Sequence, residues 1–277
     1  MTSGSIHPVA TALGATRATL LGSGTFGDTY LVENIPGHEP ECAVKLLKAD
    51  GYDARRVARE TEGMQRFDGP GVAKLLEVRT IAVDEADRSA LICEYIPGGD
   101  VAARLHFGNL PTNKQLRKFG RSLLGTVAEL HAANTIHRDI KPMNIMLRDG
   151  KWGRPVLIDF GMSRMISDPT ITVHGAFTGS YAYMPPEHLQ GEPARKQADL
   201  WAVGVTLFEL AMGHHPFIPD SVARMSLADL VLLVSGPTRP LRPDLPADIR
   251  VVIERLLQET PHRRGTAARA VKDLIER

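Results

Sequence analysis

The sequence predicts an α+β chain of two lobes, a small β-rich one with one helix and a larger, mainly helical one. Three observations predict it. Short β-rich segments separated by Gly and Pro fill the first ninety-odd residues. A flexible joint, Pro97-Gly98-Gly99, follows them. Beyond the joint the apolar residues recur at helical spacing. In order, strands are expected over 19–22, 28–33 and 41–48, a helix over 52–67, and strands again over 72–83 and 89–95. Thr112-Asn113-Lys114-Gln115 has the form of a capping box. It opens a helix that carries Leu116, Phe119, Leu123, Leu124, Val127 and Leu130 on one face. Asp149-Gly150 marks a hairpin, and Asp199 to Met212 is apolar on nearly all sides, as a helix at the centre of a lobe is. Helices over 227–234 and 247–258 and a last one close the chain. The expected organisation is a loose lead-in over 1–16, a first lobe over 17–96 and a second over 97–277.

A chain of 277 residues buries a core without staples. With 43% hydrophobic and 23% charged residues it is neither disordered nor fibrous. The formal charge of +1 gives no bulk attraction to nucleic acid or anionic lipid, so neither is an expected partner. Cys42 and Cys93 sit in apolar runs and read as reduced thiols. The N-terminal stretch lacks the pattern of a signal peptide, and the longest aliphatic run, Leu230 to Val234, is too short to span a bilayer. The expectation is a soluble, cytoplasmic protein with no direct membrane insertion.

Gly22-Ser23-Gly24-Thr25-Phe26-Gly27 is a GxGxxG that a strand follows, where dinucleotide binding needs a helix. Glycines between two strands let backbone N–H groups close over phosphates, although an ordinary Gly-rich hairpin has the same pattern. Lys45 lies in a strand between apolar neighbours, a place where its charge needs a partner. Glu60 lies in the apolar stripe of the next helix, with Val57 at −3, Met64 at +4 and Phe67 at +7, and is the nearest candidate.

Further on come His137-Arg138-Asp139-Ile140-Lys141-Pro142-Met143-Asn144, Asp159-Phe160-Gly161, Pro185-Pro186-Glu187 and Asp199-Leu200-Trp201. In this order and spacing the segments resemble the eukaryotic-type (Hanks-type) Ser/Thr protein kinases. The resemblance runs from about Leu20 to the C-terminus and implies the bilobal kinase fold, one catalytic domain in all. It implies that Asp139 accepts or orients the substrate hydroxyl proton. Asn144 and Asp159 are then the Mg²⁺ ligands, with Mn²⁺ able to substitute, since both cations take hard oxygen donors. Lys45 contacts the α- and β-phosphates of ATP and is held by Glu60, Lys141 contacts the γ-phosphate, and Gly22–Gly27 covers the phosphates.

By the same resemblance Thr29, Ala43, Cys93, Glu94, Ile96 and Met146 surround the adenine, with Cys93 in the gatekeeper place. Thr29 departs from the family's usual Val there, and Pro185 from its usual Ala. His137 and Phe160 belong to the apolar column that ties the lobes together, with Met64 and Leu75. Asp199 is structural, and Glu187 pairs with Arg264. Lys141 and Gly179-Ser180 point to Ser/Thr acceptors in protein substrates, while Met143 stands where Arg-directed kinases often carry Glu. Arg138 suggests a pocket for a phosphate on the segment after Asp159, with Thr170 and Thr172 as autophosphorylation sites and transient self-association for the transfer in trans. His131 reads as a core histidine and His214-His215 as a solvated loop. Two alternatives stay open: a pseudokinase scaffold that binds without transfer, and a small-molecule phosphotransferase of related fold.

Overall fold

The structure is a computed structural model that describes residues 7–24, 27–48, 57, 61, 67, 69–159, 181–220 and 226–275. The chain divides into two compact units, 1–96 and 97–277.

The first unit is an antiparallel five-stranded sheet. Its strands are β1 (Arg17–Ser23), β2 (Gly27–Glu33), β3 (Glu41–Leu47), β4 (Leu75–Val83) and β5 (Ala86–Glu94), in the order β1-β2-β3-β5-β4. The pleat gives the sheet two faces. On one, Tyr30, Val32, Cys42, Val44, Leu46, Ala90 and Ile92 form a buried core. The other carries Thr29, Leu31, Ala43, Lys45, Leu91 and Cys93, which the register sets side by side: Thr29 pairs with Lys45, Lys45 with Leu91, and Ala43 with Cys93.

The loose lead-in expected over 1–16 is instead helical from Pro8. Helix α1 (Pro8–Leu13) begins with Pro in its first turn, is capped by His7 Nδ1 accepting from Val9 N, and stops at Gly14 with φ 66. Val9, Ala10 and Leu13 are 0%, 0% and 2% exposed and complete the core on the sheet's apolar face. The burial of three apolar side chains outweighs the low intrinsic stability of a six-residue helix. Of the helix expected over 52–67, Val57 and Thr61 are helical and buried, and Thr61 Oγ1 donates to the Val57 carbonyl at 2.9 Å. Glu60 and Met64 lie outside the described residues.

The second unit opens with α2 (Val101–His106), capped by the Asp100 carboxylate accepting from Ala103 N at 2.7 Å. Helix α3 (Asn113–Ala132) starts at the expected capping box: Thr112 Oγ1 accepts from Gln115 N, and Gln115 Oε1 accepts from Thr112 N. All six residues of its apolar face are buried. A two-stranded ladder, β6 (Ile145–Leu147) with β7 (Pro155–Leu157), is the expected hairpin, and Asp149 and Gly150 both take positive φ at its turn. After α4 (Pro186–Leu189) comes α5 (Lys196–Met212), buried at every position from Ala198 to Ala211. Helices α6 (Leu227–Val234), α7 (Ala247–Leu256) and α8 (Ala267–Asp273) follow. No helix among the described residues is long and apolar enough to cross a membrane.

Candidate active site

The polar centre of the second unit is built on one buried carboxylate. Asp199, in the first turn of α5, is 1% exposed. It accepts hydrogen bonds from His137 N at 3.0 Å and Arg138 N at 2.8 Å, and meets His131 Nε2 at 2.9 Å. Three partners compensate the cost of removing a carboxylate from water. They also hold Arg138 at φ 71, a left-handed conformation that costs a residue with a Cβ about 1–2 kcal/mol. His137 is fully buried, and desolvation pulls its pKa down, which favours the neutral ring.

This backbone delivers Asp139 into a grip of two side chains. Lys141 Nζ lies 2.9 and 2.7 Å from the two carboxylate oxygens. Asn144 Nδ2 donates to Asp139 Oδ2 at 2.7 Å and to the Asp139 carbonyl at 2.9 Å. Both gripping residues are buried, which fixes their rotamers and hence the carboxylate between them. Because the Asn144 N–H groups are spent on Asp139, its Oδ1 is the atom left to meet a cation. Ile158 N donates to the Asn144 carbonyl at 3.0 Å and ties in the strand end that carries Asp159, itself at φ 57.

In the first unit the glycine-rich turn joins β1 to β2, and Gly24 N donates to the Gly27 carbonyl at 2.9 Å. Gly27, at φ 155, is required: a Cβ there would stand 2.1 Å from the Leu46 carbonyl oxygen. Gly22 and Ser23 end β1, exposed. Glu94 N donates to the Lys74 carbonyl at 2.8 Å, and Ile96 is buried. In the second unit, Met146 is half-buried on β6, bridged to Asp100.

Residues 15–274 match the protein kinase domain family. The chain belongs to this family. Among relatives, it is 31% identical over 258 residues to the probable serine/threonine-protein kinase PkwA of Thermomonospora curvata, covering 92% of this chain and 33% of the relative. It is 28% identical over 253 residues to the serine/threonine-protein kinase PrkC of Bacillus subtilis (90% of this chain, 38% of the relative). The figure for the serine/threonine-protein kinase PkaA of Streptomyces coelicolor is 30% over 256 residues (90% and 45%). The chain thus spans less than half of each of these relatives.

In this kinase domain the pair expected between Glu187 and Arg264 is present. Arg264 is 0% exposed, and its Nη1 and Nη2 donate to Glu187 Oε1 and Oε2 at 2.6 and 2.9 Å. Its other N–H groups reach the carbonyls of Gln258, Gln197 and Glu259. The guanidinium lies 4.8 Å from the Trp201 ring centroid, and Trp201 stacks on Phe217. Thr25, Phe26, Glu60, Phe160, Thr170, Thr172, Thr178 and Ser180 lie outside the described residues.

Two features of the kinase domain are not legible in its motifs. Tyr183 OH donates to Glu209 Oε2 at 2.8 Å, and burial pushes the Glu209 carboxyl up to about 7. The same burial raises the Tyr183 phenol. His215, expected in a solvated loop, is instead packed edge-on against the Tyr183 ring, with centroids 6.0 Å apart. Its Nε2 meets the Ala182 carbonyl, its Nδ1 accepts from Phe217 N and Ile218 N, and burial lowers its pKa to about 4. No motif marks them, since Tyr183 and Glu209 stand 26 residues apart; only the buried side of α5 hints that a carboxylate there needs a donor.

Proposed function

We propose that this kinase domain is an active Ser/Thr protein kinase that transfers the γ-phosphoryl group of ATP to hydroxyls of protein substrates. The observation that carries this reading is the Asp139 carboxylate held between Lys141 and Asn144. A carboxylate fixed in this way orients an acceptor hydroxyl and takes its proton as the new P–O bond forms and the bridging bond to the β-phosphate breaks. Lys141, within reach of that carboxylate, offsets negative charge that grows on the transferring group. The donor set fits Mg²⁺, with Asn144 Oδ1 and the Asp159 carboxylate as hard oxygen ligands and Mn²⁺ as a substitute. When bound, the cation neutralises phosphate charge.

In the first unit Lys45 is assigned to the α- and β-phosphates, with Glu60 as its partner. Gly22, Ser23, Gly24, Thr25, Phe26 and Gly27 are assigned to the phosphate cover. Thr29, Ala43 and Cys93, which share the Lys45 face, are assigned to the adenine site with Glu94, Ile96 and Met146. The reading also includes autophosphorylation in trans on Thr170 and Thr172, read by Arg138. The 31%-identical probable serine/threonine-protein kinase supports Ser/Thr specificity.

The test is phosphate incorporation from labelled ATP with Mg²⁺ into the protein itself and into casein. Asp139→Asn and Asp159→Ala are run beside the parent. Label on Ser and Thr is expected to fall by about 10²–10⁴-fold in Asp139→Asn while ATP binding persists. ATP binding without transfer in the parent protein would favour the scaffold reading.

A further inference from the structure

Two glycines of the β6–β7 hairpin seat cations that come from two different helices. A Cβ at Gly150 would stand 2.9 Å from Arg104 Nη2, and Arg104, on α2, donates to the Gly150 carbonyl at 3.5 Å. A Cβ at Gly153 would stand 2.9 Å from Lys118 Cδ and 3.2 Å from its Cγ and Cε. Lys118, on α3, thus lays its apolar stem across Gly153 and stays exposed at its charged end. Lys114, four residues earlier, is exposed on the same helix face. The hairpin adds Lys151 and Arg154, whose side chains are 65% and 51% exposed.

The backbone under these cations is held in place. Trp152 is 8% exposed and meets Phe119 of α3 edge-on at 5.8 Å. Ser122 Oγ donates to the Gly153 carbonyl at 3.0 Å, and Asp149 N donates to the Pro97 carbonyl at 2.8 Å. In the stretches 101–107, 113–118 and 148–154 Lys and Arg outnumber acids seven to one, against 33 to 32 over the whole chain. Of the seven, Arg117 is spent on Asp248. Like charges gathered on a fixed backbone repel one another, and an anionic partner relieves that repulsion.

The kind of anion follows from Asp149, the acid among these cations. It is 45% exposed, pairs with Arg154 and lies 3.8 Å from Lys151. A phosphate backbone or an anionic membrane presents its charge evenly and would set some of it against this carboxylate. A peptide places its side chains one by one, about 3.3 Å apart along the chain, and can leave the position over Asp149 neutral. We infer that the hairpin and the adjoining faces of α2 and α3 form a docking surface for an acidic segment of a partner protein. Asp and Glu side chains of that segment meet Arg104, Lys118 and Lys151, with Lys114 and Arg154 at the margins.

The experiment reads fluorescence anisotropy of a labelled peptide of about twelve residues, Glu alternating with Gly, against the full chain without ATP. A counterpart peptide carries Gln for every Glu. At about 50 mM salt the parent should bind the Glu peptide at least about tenfold more tightly, and the advantage should shrink at about 300 mM. An exposed charge pair contributes about two- to fivefold, so Lys118→Gln/Lys151→Gln should weaken the Glu peptide by about tenfold. Gly153→Ala leaves the charge unchanged but displaces the Lys118 stem, and should weaken it by about threefold. Arg263→Gln, which removes an exposed cation outside this surface, should leave binding within about twofold of the parent. Equal binding of the two peptides would overturn the inference. So would tighter binding of a thymidine oligonucleotide of the same length or of phosphatidylserine vesicles, a Gly153→Ala variant that binds like the parent, or equal losses in Arg263→Gln and the double variant. No phosphoryl transfer enters the readout, so each of these results leaves the kinase reading to its own test.

Discussion

Glu209→Gln should remove a pH dependence of stability that the parent protein carries. The Glu209 carboxyl, carried by α5 itself, is buried, accepts one hydrogen bond from Tyr183, and titrates at about 7 where an exposed glutamic acid titrates at 4.5. Because the folded pKa is the higher one, the folded state holds the proton more tightly than the unfolded state. Its stabilising effect is full below the unfolded value and is lost as pH rises toward the folded one. At about 1.36 kcal/mol per pK unit, the linked loss comes to about 2.5 kcal/mol between about pH 5 and about pH 8. The neighbouring groups do not titrate in that window: Tyr183, which donates to it, is raised, and His215, edge-on to the Tyr183 ring, is lowered to about 4. Gln keeps an oxygen for the Tyr183 hydroxyl and carries no ionisable proton. The assay is urea unfolding of parent and variant at both pH values. The expected result is that the difference in stability between them moves by about 2.5 kcal/mol in favour of Glu209→Gln at the higher pH. Any pH-independent cost of burying the amide cancels in that comparison. A difference that stays constant to within about 0.5 kcal/mol would refute the argument, since it would mean that Glu209 titrates alike in both states.

Three further outcomes are expected. Arg264→Met leaves the Glu187 carboxylate without its cation and should cost about 3–5 kcal/mol in unfolding free energy, with the double variant Glu187→Gln/Arg264→Met costing less than the single one. Leu13→Ala opens the core under α1 and should cost about 2–5 kcal/mol, read as an earlier transition that reports on the first unit. Asp199→Asn presents an amide where two backbone N–H groups and His131 need an acceptor; kcat should fall by at least about tenfold while helix content by circular dichroism persists.

Local signals in this chain are strong where one short stretch contains its own partners. The capping box at Thr112 and Gln115 closes within four residues, and the apolar face of α3 repeats often enough to be read directly. Helix α5 is legible because burial on all sides leaves a composition that only a central helix tolerates. The order of the kinase motifs also singled out Asp139, Lys141 and Asn144, three side chains that the structure brings into one hydrogen-bonded cluster. What was not legible depends on long-range pairing or on very short elements. Helix α1 has six residues and exists because the sheet face beneath it is apolar, which no window over residues 1–16 reveals. The turn between β4 and β5 uses Asp84 and Glu85 at positive φ, without the Gly that announces such turns. His215 looks like a polar loop residue until its two ring nitrogens are seen bonded to the backbone on either side.

Asp199 follows the loop it organises by some sixty residues of sequence. During vectorial synthesis, at about 5–20 residues per second, the 137–144 segment leaves the ribosome seconds before α5 does. Until α5 docks, Arg138 has no buried carboxylate to hold it at its left-handed φ, and the Asp139 carboxylate has no fixed direction. The proposed reacting centre therefore takes its geometry only once α5 has docked, and a nascent chain cut short before α5 holds Asp139, Lys141 and Asn144 without the carboxylate that organises their loop.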